Sequence, residues 1–248
     1  MSGQCFKWSS NETTNVQNGR LAQPEEWPWI AFIDAYKTFW GLDINGYDYS
    51  HSNQVYGVDK YIIHPNYTVY NHIRGFKLGH DIALLKLDSQ ILMTQSTGGY
   101  PTVNAICLPD RDIVNTDKEL AVFAGFGNIE DNVINSGPLR TGCFQMTESS
   151  NNSSDNYCYL ISSKRYPLIE GTGGCEGDSG GPLVQYVVDN NHKMSGSDGS
   201  GGRAVLIGIL LGISPKLGVC QLRHSDNILL FLRLSKHIDW IINTVSAK

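Results

Sequence analysis

The apolar residues of this chain come in short runs separated by turn residues, and this pattern constrains the fold more than any other feature. The runs are rich in β-branched and aromatic residues and are bounded by Gly, Asn and Pro, as strands are. They occupy residues 30–33, 55–63, 81–87, 121–126, 183–188 and 204–213. The Gly-, Ser- and Asn-rich stretch 190–202 predicts a mobile hairpin loop between the last two runs.

The final segment of the chain has a different periodicity. Apolar side chains recur at helical spacing, at Leu234, Ile238, Ile241, Ile242 and Val245. A helix here can begin at Ser235, and it runs to the end of the chain. The two patterns together predict an all-β fold with one C-terminal α-helix.

Composition excludes several classes of protein. Of the 248 residues, 17% are charged and 26 are Gly, which suits many short strands rather than helical bundles or disorder. The net charge is -5 and no basic block occurs, which argues against nucleic acid or an anionic membrane surface as a partner. No apolar run approaches about 18 residues, so no membrane-spanning helix is expected. No metal-ligand constellation stands out, and no cofactor is predicted.

The cysteines and sequons favour an oxidising, extracellular setting. The six Cys form an even set without any CxxC pair, which disfavours zinc and thioredoxin-type sites. Four N-x-S/T sequons are candidates for glycosylation, at Asn11, Asn66, Asn151 and Asn152. Secretion is therefore predicted, although the residues from Met1 lack the charged start and apolar stretch of a signal peptide.

The run Cys175-Glu-Gly-Asp-Ser-Gly-Gly-Pro182 carries the strongest chemical signal in the chain. A nucleophilic Ser needs an exposed hydroxyl and backbone N–H groups aimed at the developing oxyanion. Glycines on both sides of Asp178 and Ser179 permit a tight turn and a close approach of substrate. A Gly-rich turn with an incidental Ser is the alternative, and the length of this run makes it a weak one.

The run Gly177–Pro182 is similar to the nucleophile motif of the trypsin/chymotrypsin-like serine peptidase family. Further motifs of that family occur in its order, at Trp27-Pro28-Trp29, 63–67, 81–87, 105–109, Gly125-Phe126-Gly127 and Asp239-Trp240-Ile241. The resemblance spans about Val16 to Ile242. It implies a domain over 16–248, preceded by a leader over 1–15 that Cys5 tethers, and built from two six-stranded antiparallel barrels over roughly 16–110 and 111–248.

The resemblance also assigns residues to roles. Ser179 corresponds to the nucleophile and Asp81 to the acidic member of the triad, and the N–H groups of Gly177 and Ser179 correspond to the oxyanion hole. The implied disulfides are Cys5–Cys107, Cys143–Cys158 and Cys175–Cys220. From the cysteine count alone, 15 pairings remain open.

The catalytic His of the family is missing. Its Thr-Ala-Ala-His-Cys segment normally lies between the Trp27-Pro28-Trp29 strand and the His64-Pro65 turn. In this chain, residues 34–40 are followed at once by residues 41–44, and the latter already resemble the family sequence that comes after the missing segment. We interpret this as the deletion of one block, which leaves the first barrel incomplete.

The other histidines are poor substitutes for the missing base. Seven occur, at His51, His64, His72, His80, His192, His224 and His237, and each is expected to be solvated. His80 precedes Asp81, and neighbouring strand residues face opposite sides, so it cannot easily bridge Asp81 and Ser179. His224 and His51 are the candidates for a rearranged dyad.

Activation and specificity also depart from the family. By spacing, the activated amino terminus would be Val16, whose ammonium would pair with Asp178, but the preceding Asn15 is not a tryptic cleavage site. The specificity pocket would be formed by Gly173, Gly174, Leu210, Leu211 and Gly212. Its floor carries no charge and its wall is aliphatic, so apolar rather than basic substrate residues are predicted.

Two functions therefore remain open for the chain. The first is a secreted serine endopeptidase acting on proteins or peptides, inactive or impaired in this form because the His segment is absent. The second is a non-catalytic pseudo-protease that binds or regulates protein partners. Protease inhibitors are candidate partners in either case.

Overall fold

The computed structural model describes residues 20–22, 26–36, 39–44, 54–67, 80–95, 101–110, 120–128, 139–148, 159–165, 174–175, 177–188, 202–213 and 229–247. These residues form thirteen strands, one short 3-10 helix and one α-helix. The strands are β1 (Arg20–Leu21), β2 (Ala31–Tyr36), β3 (Phe39–Ile44), β4 (Gln54–Ile63), β5 (Ala83–Leu87), β6 (Thr94–Gln95), β7 (Pro101–Val103), β8 (Leu120–Gly125), β9 (Arg140–Glu148), β10 (Tyr159–Arg165), β11 (Pro182–Val188), β12 (Gly202–Ile213) and β13 (Leu229–Arg233). The 3-10 helix (Leu234–Lys236) precedes α1 (Ile238–Ser246). The prediction of an all-β fold with a C-terminal helix is confirmed.

The C-terminal half is a sheet whose antiparallel pairings run in a circuit through six strands. β8 pairs with β9, β9 with β10, β10 with β13, β13 with β12, β12 with β11, and β11 with β8 again. The short β1 adds to β9 outside this circuit. The hairpin β11–β12 brackets the loop predicted over 190–202, of which residues 190–201 lie outside the described residues.

Alternation along the strands builds the core of this sheet. Side chains two residues apart point to the same face, so Ala121 and Phe123 on β8 and Val205 and Ile207 on β12 all face inward. The rings of Phe123 and Phe231 meet there edge to face, with centroids 5.9 Å apart. This cluster holds β11 and β12, and therefore the turn that carries Ser179, against the rest of the sheet.

The N-terminal half is an open sheet in the described residues. Its strand order is β2-β3-β4-β5, and β6 and β7 form a separate two-stranded pair. The order agrees with the expectation of an incomplete first barrel. The strand β3 covers Gly41–Ile44, where the sequence indicated only the join left by a deleted block. The pairing of β2 with β3 runs from Ala31↔Ile44 to Tyr36↔Phe39, so the join lies within β3, which forms a tight hairpin with β2.

Helix α1 joins the two halves. Its apolar side chains Ile238 and Ile241 form one buried cluster with Ile82, which precedes β5, and with Leu232 of β13. The helix was predicted to begin at Ser235 and instead begins at Ile238, because the chain first makes a 3-10 turn and His237 leaves helical geometry with φ -116° and ψ 0°. Two of the residues on the predicted apolar stripe, Ile242 and Val245, are exposed.

The buried cluster that α1 forms with Ile82 and Leu232 is the joint between the two halves. We expect Ile241→Val to lower the free energy of unfolding by about 1 kcal/mol, because it removes a buried methyl group from this cluster. The same substitution at the adjacent Ile242, which is 51% exposed, should change it by less than about 0.5 kcal/mol. Urea denaturation of both variants measures the difference. Equal effects at the two positions would mean that α1 does not pack as described.

No helix among the described residues is long and apolar enough to cross a membrane.

Candidate active site

Ser179 lies on a β-turn that the sequence encodes locally. The N–H of Gly181 donates to the carbonyl oxygen of Asp178 at 3.0 Å, so Ser179 and Gly180 are the two central residues. Gly180 has φ +85°, the conformation that the second central position of a type II turn requires and that glycine adopts without strain. Ser179 itself is exposed.

The turn is anchored to the strand β12. The N–H of Gly180 donates to the carbonyl oxygen of Leu210 at 2.8 Å, and the N–H of Leu210 donates to the carbonyl oxygen of Gly181 at 2.9 Å. Two hydrogen bonds therefore hold the turn that carries Ser179 against β12.

The residues predicted for the oxyanion hole lie on the same short segment. Gly177 has φ +95°, a conformation that L side chains rarely adopt. Within the described residues, the N–H groups of Gly177 and Ser179 donate no hydrogen bond. Their role as the oxyanion hole stays a prediction.

Asp178, unlike the exposed Ser179, is buried, with 3% of its surface exposed. Its Oδ1 accepts from the N–H of Gly127 at 2.7 Å, and its Oδ2 accepts from the N–H of Cys175 at 2.8 Å. Burial raises the pKa of this carboxyl to about 6, while the two backbone hydrogen bonds act in the other direction.

Glycines enclose the Asp178 carboxyl. A Cβ added to Gly125 would lie 2.0 Å from Asp178 Oδ1, and one added to Gly127 would lie 2.3 Å from its Cγ. No L side chain fits at either position while Asp178 keeps its place. The Gly125-Phe126-Gly127 motif is thus explained by the close approach of β8 to this carboxyl.

Asp81 lies at a different place, in the bend before β5. The N–H of Ile82 donates to the carbonyl oxygen of His80 at 2.8 Å, which makes Asp81 the centre of a three-residue turn. The residue is half-buried, and burial raises the pKa of its carboxyl. Among the described residues, no hydrogen bond joins Asp81 to Ser179 or to a histidine.

Three of the seven histidines are described, and they form one cluster that has no hydrogen bond to Ser179 within the described residues. His80 Nδ1 lies 3.1 Å from His237 Nε2, and the rings of His64 and His80 stack with centroids 4.3 Å apart. The expectation of solvated histidines was wrong for His64 and His237, which are buried, whereas His80 is partly exposed. His51, His72, His192 and His224 lie outside the described residues.

Sequence reasoning missed this cluster because its members come from distant parts of the chain. His80 and His237 are 157 residues apart. The register Ile63↔Ala83 places His64 beside the bend that carries His80, and only that pairing brings the two rings together.

The predicted specificity pocket is described in part. A Cβ added to Gly174 would lie 3.2 Å from the side chain of Leu210, so these two residues meet. Leu210 is 2% exposed and belongs to the core of the C-terminal sheet, whereas Leu211 packs with the α1 cluster on the other face. Nothing lies within 4 Å of a Cβ added to Gly212, and Gly173 lies outside the described residues.

The cysteines are described for three positions. Cys143 and Cys175 are both disulfide-bonded. Their predicted partners Cys158 and Cys220 lie outside the described residues, so the pairings stay predictions. Cys107 is an exposed free thiol, and its predicted partner Cys5 lies outside the described part of the chain, so that pairing also stays a prediction.

The remaining predicted sites lie mostly beyond the described ranges. Asn66 is exposed in the turn after β4, whereas Asn11, Asn151 and Asn152 are not described, and neither is Val16. In the part of the chain that the structure covers, no group of three His, Cys, Asp or Glu side chains is arranged to hold a metal ion.

The model of one protein family, described as Trypsin, matches residues 41–214, a range that includes Asp81 and Ser179. This chain belongs to the trypsin family. The matched range begins after the position where the histidine segment of these peptidases was expected and ends just after β12.

Curated proteins similar to this trypsin-family chain are named as proteases or as a plasminogen activator. The urokinase-type plasminogen activator of Gallus gallus is 26% identical over 223 residues, which are 86% of this chain and 44% of that protein. The serine protease 7 of Drosophila melanogaster is 26% identical over 201 residues, 76% of this chain and 42% of that protein. The transmembrane protease serine 11G of Mus musculus is 30% identical over 197 residues, 76% of this chain and 39% of that protein. The matched regions thus cover less than half of the length of these relatives.

Proposed function

We propose that this chain is a secreted trypsin-like serine endopeptidase domain in which cleavage of peptide bonds is lost or strongly reduced. The observation that carries the proposal is the position of the described histidines. His80 and His237 are hydrogen-bonded to each other and His64 is stacked on His80, and among the described residues no hydrogen bond joins any of the three to Ser179.

The chemistry explains why the base decides the rate. In the family reaction, the Ser hydroxyl attacks the carbonyl carbon of the substrate, and a base within about 2.6–3.2 Å removes its proton. The oxyanion that forms would be held by the N–H groups of Gly177 and Ser179. Without the base, Ser179 stays a neutral hydroxyl, and only the oxyanion hole and substrate binding contribute to the rate.

The substrates proposed are proteins or peptides with an apolar residue at the cleavage site. Gly174 and Leu210 bring no charge to the region beside the turn, and Gly173 would complete the proposed uncharged floor. A substrate Lys or Arg would therefore be desolvated there without an ion pair, at a cost that an apolar side chain does not carry.

Secretion is supported by the state of the cysteines and by one sequon. Cys143 and Cys175 are disulfide-bonded, which is typical of proteins in oxidising compartments. Asn66 is exposed in a turn and is thus accessible to glycosylation.

A fluorophosphonate probe, which reacts with activated serines, tests the proposal. We expect no labelling of Ser179 under conditions in which an active trypsin-family protease is labelled to completion. Ser179→Ala identifies the site of any label, and Ser89→Ala, at an exposed serine, is the matched control. Rapid labelling that Ser179→Ala abolishes would contradict the proposal and would assign a base to one of the undescribed histidines, among which His224 and His51 are the candidates.

A second candidate function is a non-catalytic binding or regulatory protein. The hydrogen bonds to both oxygens of Asp178 favour it, because they hold the turn without the ion pair to a new amino terminus at Val16. Surface plasmon resonance with small protein protease inhibitors provides the measurement. We expect the chain to bind an inhibitor that has Leu in its reactive loop and not to bind the variant of that inhibitor with Lys at the same position. If neither inhibitor binds, an inhibitor-type partner is excluded.

A further inference from the structure

The histidine cluster at the joint has a hydrogen-bond pattern that assigns the protons of all three neutral rings. The carbonyl oxygen of Arg233 lies 3.0 Å from His237 Nδ1 and can only accept, so His237 Nδ1 carries a proton. In the neutral ring, His237 Nε2 then accepts, and His80 Nδ1 donates to it. His64 Nδ1 lies 3.2 Å from the N–H of Asn66 and accepts, so the proton of neutral His64 is on Nε2.

One additional proton fits this network. Placed on His80 Nε2, it leaves every hydrogen bond of the cluster in place, because His80 Nδ1 still donates to His237 Nε2. The ring of His64 stacked above it stays neutral. The cluster therefore tolerates a single positive charge.

A second proton does not fit. On His64 Nδ1 it would face the N–H of Asn66, and two charged rings would then be stacked with centroids 4.3 Å apart. On His237 Nε2 it would face the proton of His80 Nδ1. His237 is also the N-cap residue of α1, where the helix dipole disfavours a cation.

The cluster is placed where its charge affects the joint between the two halves. His64 directly follows β4 and His80 lies in the bend before β5, whereas His237 and Trp240 belong to the C-terminal segment. The ring centroids of Trp240 and His64 lie 4.8 Å apart. Repulsion within the cluster therefore acts directly against the packing of Ile238 and Ile241 on Ile82.

We propose that His64, His80 and His237 form a proton-operated latch, which holds α1 against the N-terminal sheet while the cluster carries at most one positive charge and releases α1 when it takes up a second proton. The proposal concerns the joint and not the Ser179 turn, so it stands or fails independently of the proposed function.

Burial sets the direction of the pH effect. Desolvation, followed by the charge of the neighbouring histidines, holds the pKa of His64 below its usual range. Desolvation likewise lowers the pKa of His237, although the hydrogen bond to Arg233 opposes it. Because the released histidines bind protons more tightly than the packed ones, the latch weakens as pH falls below about 6.5.

Four other charged groups lie close to the cluster in the described chain. Asp81 follows His80, Asp239 is in the first turn of α1, and Lys236 and Arg233 precede the helix. The pKa of Asp81 is raised by burial, so its protonation favours the packed state as pH falls and opposes the histidines. The latch must therefore be measured at α1 itself and not through global stability.

Hydrogen exchange of α1 between pH 8 and pH 5 tests the proposal, with rates corrected for intrinsic exchange. The opening constant of residues 238–246 is expected to rise about tenfold per pH unit for each net proton taken up. Residues 182–188 of β11 serve as the internal reference, and their opening constant should not rise as pH falls. Protection of α1 that is constant from pH 8 to pH 5 would overturn the proposal.

His80→Asn is the informative variant. Asn accepts the left-handed backbone that His80 adopts at φ +49°, and its amide can donate to His237 Nε2, but it takes up no proton. The opening transition of α1 should move at least one pH unit lower. The control variant His192→Asn removes a histidine that is not one of these three and should leave the transition unchanged. The same shift in both variants, or no shift in either, contradicts the latch.

An NMR titration of the wild-type imidazole rings keeps the proposal falsifiable if His80→Asn does not fold. The rings of His64 and His237 are expected to titrate below the ordinary value of about 6.5, and their two curves should be coupled. Independent titration of these two rings at about 6.5 would exclude a latch.

Discussion

Ser179→Ala is expected to change the rate of peptide hydrolysis by this chain less than about tenfold. The members of a catalytic triad act as a unit, so removing the Ser from an intact triad costs about 10⁶ in kcat, whereas removing it after the base is lost costs little more. Hydrolysis of a fluorogenic peptide with an apolar residue at the cleavage site, followed over days, measures the residual rate of both proteins.

The control for this experiment is Ser89→Ala, which alters an exposed serine whose hydroxyl donates to Asp88. It should leave the residual rate unchanged. A loss of more than about 10³ on Ser179→Ala, with Ser89→Ala unaffected, would refute the proposed function, because a loss of that size requires that the hydroxyl was activated.

Gly127→Ala is expected to lower the free energy of unfolding by about 3 kcal/mol. The new Cβ would lie 2.3 Å from Cγ of Asp178, and that carboxyl cannot move without losing its hydrogen bonds to the N–H groups of Gly127 and Cys175. Thermal and urea denaturation at pH 7 measure the change.

Gly212→Ala is the matched control, because nothing lies within 4 Å of a Cβ at that position. Its effect should stay within about 0.5 kcal/mol. Combining Gly127→Ala with Asp178→Ala removes the overlap, so the double variant should be more stable than the sum of the single effects predicts. A Gly127→Ala protein as stable as the wild type would show that Asp178 is not enclosed as described.

The buried carboxyl of Asp178 and the buried histidines of the cluster make folding stability depend on pH in opposite directions. A carboxyl whose pKa is raised by folding, as that of Asp178 is to about 6, binds its proton more tightly in the folded state. Its contribution to stability therefore increases as pH falls from about 6 towards 4. The histidines at the joint lose stability over the same range, so local and global measurements should diverge below pH 6.

Much of the fold and of the Ser179 turn could be predicted because the physics that forms them is local. The alternating residues of 121–126 and 204–213 lie on strands close to the predicted bounds. The turn at Ser179 follows from Gly180 at φ +85°, which only the neighbouring residues determine. The short strands at 140–148, 159–165 and 229–233 carried too weak a pattern and were missed.

The all-β class and the exposed turn at Ser179 depend on residues adjacent in the chain, and so does the prediction that the family's histidine segment is missing; all three therefore follow from sequence patterns. The enclosure of Asp178 by Gly125 and Gly127 and the meeting of three histidines depend instead on tertiary contacts. Strand register and helix docking place those groups together across as many as 157 residues, and periodicity in the sequence carries no information about contacts at that separation.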